Sequence, residues 1–252
     1  VSGDITGKVA WVTGASSGLG RRFAEVLAAA GAQVAVSARR VERLEALAGD
    51  IAAAGGRALV VPADLSDVAQ IRAAAARIEA ELGPIDILVN NAGISRQARL
   101  EAFSEADYDA VLDTNLKGPF FAAQAAAQQM IRHQRAGRIV NIGSVASFRA
   151  LGQQSAYSIA KAGLAMMTQC MAREWGRHGI NTNAICPGYV GTEIAGDFWE
   201  TEGGRKLLAT LPRQRLGEPR DLDGLLLLLC AGEASRFING AAMVADDGWM
   251  AR

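Results

Sequence analysis

A glycine-rich turn, Gly14-Ala15-Ser16-Ser17-Gly18-Leu19-Gly20, joins an apolar strand-like run to a helix-like run. The same strand–helix alternation continues to the C-terminus. The pattern predicts strands over 8–13, 33–37, 59–61, 85–89, 138–142, 181–186 and 241–245. Helical stretches end near Ala30 and Ala54 and cover roughly 67–82, 105–133, 155–177 and 219–231, with a break expected near Gly118-Pro119. Strands separated by helices of this length pair in parallel, and the helices cover both faces. No Pro-, Gly- or Ser-rich linker, repeat or low-complexity tract divides the 252 residues. The expectation is one α/β domain over 1–252, a doubly wound parallel sheet of seven strands. Ligands of such sheets bind beyond the carboxyl ends of the strands, where the Gly14 turn, Asp64, Asn90, Ser144 and Pro187 all fall.

The context of the glycine turn is the one a Rossmann-like dinucleotide site needs. Glycines let the backbone turn tightly and approach a pyrophosphate, and the helix N-terminus favours its negative charge. Gly14, Ser16, Ser17, Gly18, Leu19 and Gly20 are therefore candidate cofactor residues. A cofactor with a free ribose 2′-hydroxyl is usually met by an acidic residue about twenty positions later. Here the second strand ends Ser37-Ala38-Arg39-Arg40, with no carboxylate. Arg39 is the candidate clamp for a 2′-phosphate, with Arg40 beside it and Ser37 adding a hydroxyl. NADP(H) is accordingly expected over NAD(H). The alternative is that both arginines merely begin a solvated helix.

Chemistry points to Tyr157 and Lys161. Four residues apart on a helix, they share a face. A fixed ammonium favours a phenolate, and a tyrosine tuned in this way exchanges a proton with a substrate oxygen near neutral pH. The chain has only four lysines, Lys8, Lys117, Lys161 and Lys206, so the pairing is less readily accidental. Ser144 follows the predicted fifth strand and serves as an orienting hydrogen-bond donor. No histidine stands beside it to make it a nucleophile.

Composition excludes other classes. Lys plus Arg and Asp plus Glu number 26 each, against a nucleic-acid partner. Cys170, Cys186 and Cys230 have neither metal spacing nor the even count of a disulfide framework, and no metal site is expected. The run from Leu225 to Leu229 is too short to span a bilayer, so no membrane partner is expected. No apolar stretch follows a basic start at the N-terminus, which makes a cytoplasmic location the expectation.

Over nearly its whole length the chain resembles the short-chain dehydrogenase/reductase family. The matches are Thr13-Gly14-x-x-x-Gly18-x-Gly20, Asp64, Asn90-Asn91-Ala92-Gly93, Asn115, Ser144, Tyr157-x-x-x-Lys161 and Pro187-Gly188-x-x-x-Thr192. The resemblance implies that Asn115, Ser144, Tyr157 and Lys161 are catalytic, with Asn115 binding a water that extends the proton path from Lys161. It implies that Asp64 and Leu65 meet the adenine and that Asn91 lies near the adenosine ribose, with Ala92 and Gly93 following it. Pro187 and Gly188 lead to Val190 and Thr192, which hold the nicotinamide carboxamide. It further implies strand order 3-2-1-4-5-6-7 and a homotetramer. The helices near 105–133 and 155–177 would form one interface, and the last strand and C-terminus another. Two departures stand out. Ser17 replaces the basic residue common in NADP-using relatives, and Asp246-Asp247-Gly248-Trp249 replaces the frequent Asp-Gly-Gly.

The expected reaction is hydride transfer between a nicotinamide and a ketone or secondary alcohol. Alternatives are a 3-oxoacyl-thioester reductase acting on an acyl-carrier or coenzyme A substrate, a polyol or sugar-acid dehydrogenase, and a non-catalytic NADPH sensor. Ile94, Ala146, Gln154, Tyr189, Phe198 and Trp199 are candidate pocket residues for the small-molecule substrate, and 191–213 is expected to act as a mobile lid. Arg96 and Arg149 are candidate attractors of an anionic substrate.

Overall fold

The computed structural model describes residues 5–251. Its strands are β1 (Val9–Thr13), β2 (Gln33–Ser37), β3 (Arg57–Val60), β4 (Ile87–Asn90), β5 (Gly137–Ile142), β6 (Ile180–Pro187) and β7 (Ala242–Ala245). They form one sheet of order β3-β2-β1-β4-β5-β6-β7, parallel at every pairing. The principal helices are α1 (Gly18–Ala29), α2 (Val41–Ala53), α3 (Val68–Leu82), α4 (Glu105–Leu112), α5 (Gly118–Arg132), α6 (Ser155–Trp175), α7 (Glu202–Thr210) and α8 (Asp223–Cys230). The doubly wound, seven-stranded single domain read from the sequence is therefore what the chain forms.

Side chains alternate across each strand, and that period sorts the core into two layers. Ala10, Val12, Val34, Val36 and Val89 face α1, α2 and α8, where Phe23, Leu27, Leu44 and Leu226 complete the packing. Trp11, Ala35, Leu88 and Ile139 face α3, α5 and α6, meeting Ile71, Ile78, Met130 and Leu164. Both faces are covered, so the strands read as continuous apolar runs.

The expected break near Gly118-Pro119 is instead a change of helical pitch. Residues Asp113–Lys117 form a π turn between α4 and α5, and the helix continues through it. A Cβ on Gly118 would stand 2.0 Å from the Leu65 carbonyl oxygen, so the glycine lets this helix reach the loop after β3. The 191–213 stretch, the expected lid, holds a run of tight helical turns over Glu193–Glu200, kinked at Gly196, and then α7. This excursion is pinned at its neck. Gly191 N donates to Gly217 O at 2.9 Å, and Gly217 N donates to Tyr189 O at 2.8 Å. Among the described residues no helix is long and apolar enough to cross a membrane, and no group of three metal-ligating side chains occurs.

One buried carboxylate ties the amino-terminal edge of the sheet together. Asp86, 3% exposed, accepts from Val9 N at 3.0 Å and from the Arg135 guanidinium at 2.6 Å, with Lys8 Nζ at 3.7 Å. Asp86→Ala would leave the Val9 N–H without its partner. We expect it to cost about 2 kcal/mol, read as a lower urea midpoint at unchanged slope. A midpoint equal to wild type would contradict this assignment.

Candidate active site

The strand order reverses beside β1, and there the loops after β1 and β4 part. The cleft so formed is about 440 Å³. Its floor is a close contact between the glycine turn and the loop after β4. A Cβ on Gly14 would stand 2.7 Å from Ala92 Cα, and one on Gly20 would stand 2.3 Å from Gly14 O. Thr13 and Asn91 fasten the contact. Thr13 Oγ1 accepts from the backbone N–H of Asn91 and Ala92, and Asn91 Nδ2 donates to the carbonyls of Thr13 and Gly14. Gly14, Ser16, Ser17, Gly18 and Leu19 line the cleft, whereas Gly20 lies behind it and supports the turn. A turn that leaves no room for a Cβ at Gly14 or Gly20, at the N-terminus of a twelve-residue helix, fits a pyrophosphate.

On the adenosine side the structure redistributes the expected roles. Ser37 is fully buried and its hydroxyl accepts from Trp11 Nε1 at 2.9 Å, so it does not reach the cleft. The alternation of β2 puts it on the face of Trp11, which corrects its assignment as a phosphate partner. Arg39 lines the cleft but leans outward, 3.9 Å from Asp64. Arg40 is the residue that reaches the glycine turn, donating to Ser16 Oγ at 2.9 Å and Ser17 Oγ at 2.8 Å. Asp64 also accepts from the Ser66 N–H and hydroxyl, and it lines the cleft with Leu65. Arg40 and Arg43 both bind Glu193, a cleft residue that sequence reading missed. It stands 150 residues from Arg43 in the chain, and no local pattern signals such a pair.

The far end holds Ser144, Tyr157 and Lys161, which all line the cleft. β5 ends at Ile142, and Gly143 carries the chain to Ser144, whose Oγ caps the next turn by accepting from Ala146 N. α6 brings Tyr157 and Lys161 to the same place. Lys161 is 4% exposed, and its Nζ donates to the Ile142 carbonyl at 2.7 Å, 5.6 Å from the centre of the Tyr157 ring. Burial lowers the Lys161 pKa to about 8. Burial raises that of Tyr157, and the Ser144 hydroxyl beside the phenol works against the rise. The arrangement presents a hydroxyl and a phenol together, one helical turn from a buried ammonium. Such a pair of donors can hold one carbonyl or carbinol oxygen.

Asn115 is fully buried within the π turn, and its amide grips both backbone groups of Ile94, accepting from N and donating to O at 2.8 Å each. A Cβ on Gly93 would stand 3.3 Å from Asn115 Oδ1 and 3.7 Å from Lys161 Nζ, so Gly93 lets these two groups approach. Pro187, Gly188, Val190 and Thr192 also line the cleft, and Ile94 lines it where it packs in one cluster with Tyr157. Of the other expected pocket residues, Ala146 is buried under Ser144, and Gln154 precedes the first turn of α6. Tyr189 and Trp199 pack edge to face at 5.5 Å, Phe198 packs on Trp199, and none of the three borders the main cleft. Trp249, also unforeseen, packs on Tyr189 at 5.2 Å, with the Arg149 guanidinium 4.7 Å above its ring.

Comparison with known proteins gives the same picture from outside. The family model of the short chain dehydrogenase matches residues 8–203. The chain is 41% identical to the 2-dehydro-3-deoxy-D-gluconate 5-dehydrogenase of Escherichia coli K12, over 98% of this chain and 97% of that protein. It is 38% identical to the acetoacetyl-CoA reductase of Shinella zoogloeoides, over 96% of this chain and 98% of that protein. A solved gluconate 5-dehydrogenase from Burkholderia cenocepacia J2315, in complex with NADP and tartrate, superposes with a TM-score of 0.94 at 36% identity, covering 98% of this chain and 97% of that one. This chain belongs to the short-chain dehydrogenase family and is an oxidoreductase acting on CH–OH groups.

Proposed function

We propose that the protein is an NADP(H)-dependent sugar-acid dehydrogenase, moving hydride between the nicotinamide and a secondary hydroxyl or keto carbon of a hexonate. The observation that carries the reaction is the meeting of Ser144, Tyr157 and Lys161 at one end of a cleft whose other end holds the glycine turn and Arg40. The substrate class rests on the gluconate-type relatives, with Arg149 on the loop after Ser144 as the candidate partner for the carboxylate. Among the described residues Arg149 forms no ion pair, so its charge is free to meet a carboxylate. Arg96, by contrast, is paired with Asp107 at 3.2 Å.

Bound NADP(H) supplies the hydride or accepts it. Ser144 Oγ and the Tyr157 phenol hold the reacting oxygen, and Tyr157 moves the proton, giving it when a ketone is reduced and taking it when an alcohol is oxidised. Burial alone sets the Tyr157 pKa too high for that task. The Ser144 hydroxyl opposes that rise, and the positive charge of Lys161 and of a bound oxidised nicotinamide would lower it further. Asn115 holds the Ile94 backbone and the π turn beside Lys161, on the path by which the proton is replaced. The 191–213 excursion serves as the lid over the substrate.

The same reading extends to a homotetramer. Its support is exposed apolar side chains on the faces assigned to the interfaces, namely Phe120 and Ile131 on α5, Ile159 and Met166 on α6, and Val244 on β7. A 3-oxoacyl-thioester reductase is the second reading, kept because an acetoacetyl-CoA reductase is nearly as similar a relative.

Initial rates separate these readings. NADP+ reduction with gluconate or 2-dehydro-3-deoxy-D-gluconate should exceed NADPH oxidation with acetoacetyl-CoA. Faster turnover of the thioester would transfer the assignment to the second reading. Tyr157→Phe should lower turnover about a thousandfold while NADPH still quenches protein fluorescence as in wild type. A variant retaining about a tenth of the activity would remove Tyr157 from proton transfer.

Lys161 connects the site to stability. Its folded pKa lies below the ordinary 10.5, so the unfolded chain binds that proton more tightly. The cost of burying the ammonium is fully present below pH 8, fades as pH rises, and is gone above the unfolded value. Lys161→Met should therefore abolish turnover yet add about 2 kcal/mol of stability at pH 7, net of the lost hydrogen bond. That advantage should shrink in urea titrations at pH 10. A variant less stable than wild type at pH 7 would contradict the assignment.

A further inference from the structure

Enzymes of this architecture that take a cofactor with a free 2′-hydroxyl usually place a carboxylate at the end of the second strand. Here Arg39 and Arg40 follow that strand, and a carboxylate reaches the same place from the far side of the cleft. Glu193 Oε2 lies 3.2 Å from an Arg40 guanidinium nitrogen. Both carboxylate oxygens also lie within 2.8 Å of Arg43. Arg40 is at the same time hydrogen-bonded to Ser16 and Ser17 of the glycine turn. The loop bringing Glu193 lies directly over that turn, since a Cβ on Gly18 would stand 3.3 Å from Thr192 Cβ. Glu193 lines the cofactor cleft itself, and its two arginine partners hold its pKa below the usual carboxylate range, so it is an anion at neutral pH.

We propose that Glu193 is a resident anion on the arginines that read the adenosine 2′-position, and that it sets cofactor discrimination by competing with a 2′-phosphate for Arg40 and Arg43. The inference rests on the NADP(H) reading above. A 2′-phosphate needs the donors that Glu193 already uses, and it meets like charge from the carboxylate while doing so. A ribose with a free 2′-hydroxyl meets no such penalty. The arginines thus favour NADP(H), and Glu193 narrows the margin, which suits a chain whose glycine turn carries Ser17 in place of a basic residue. Glu193 is more than half exposed, so its replacement does not threaten folding.

Calorimetric titration with adenosine 2′,5′-bisphosphate and adenosine 5′-monophosphate tests this without any turnover. Wild type should prefer the bisphosphate. Glu193→Gln should tighten the bisphosphate about fivefold and leave the monophosphate unchanged, the effect shrinking as salt rises. Arg40→Ala should remove the preference in either background. A wild-type preference that Glu193→Gln leaves unchanged, or weaker bisphosphate binding by the variant, overturns the role of Glu193 and spares the NADP(H) reading. Equal binding of the two nucleotides by wild type and by Glu193→Gln overturns the 2′-phosphate reading of Arg40, and the proposal with it.

Discussion

A buried ammonium on the last carbonyl of a central strand holds the candidate site together. Lys161 Nζ donates to Ile142 O where β5 ends, which fixes α6 against the sheet. Tyr157, one turn earlier on the same helix, is thereby set beside Ser144, two residues beyond that carbonyl. A second bond continues the attachment, as Ser147 Oγ donates to the Lys161 carbonyl at 2.9 Å. The loop after β5 and the start of α6 are thus held as one unit. An ammonium is costly to bury, and this one is held for its position and charge rather than for stability.

Polar groups inside the sheet set the geometry from below. Asn90 on β4 donates to Asn141 Oδ1 on β5, and Asn141 donates to Thr168 Oγ1 on α6. Asn90 also reaches the Pro119 carbonyl in α5. Two strands and two helices are bound through one buried chain of amides and a hydroxyl. Such a network specifies a single packing, because any slip would leave buried polar groups unpartnered. Asn90 and Asn141 lie at the strand ends that lead into the loops carrying Asn91 and Ser144.

Fold and topology were legible because β-strand and helix periods differ and because glycines mark the loops that approach one another. The glycine turn, the Asn90-Asn91-Ala92-Gly93 run and the Tyr157–Lys161 pair each carry a local constraint that a sequence displays. What stayed hidden depends on distant chain segments or on which face a residue takes. The position of Ser37 at the end of the strand suggests a cofactor contact, but the period of β2 turns it toward Trp11. Arg40 rather than Arg39 meets the glycine turn, a difference of one position at the bend into α2. Glu193, Trp249 and the π turn at Asn115 come from tertiary packing that no short motif encodes. The strand limits shifted by only one or two residues, as expected where hydrogen-bond registers rather than side chains set the ends.

The proposed reaction is direct hydride transfer in a cleft where Tyr157 handles the proton. Mass spectrometry of the product tests it most directly, using NADPH deuterated at nicotinamide C4 on the transferred face and 5-dehydro-D-gluconate in ordinary water. Direct transfer places one deuterium in the product, bonded to the new carbinol carbon. A product whose new C–H hydrogen comes from solvent, with the label left on the nicotinamide, would contradict it.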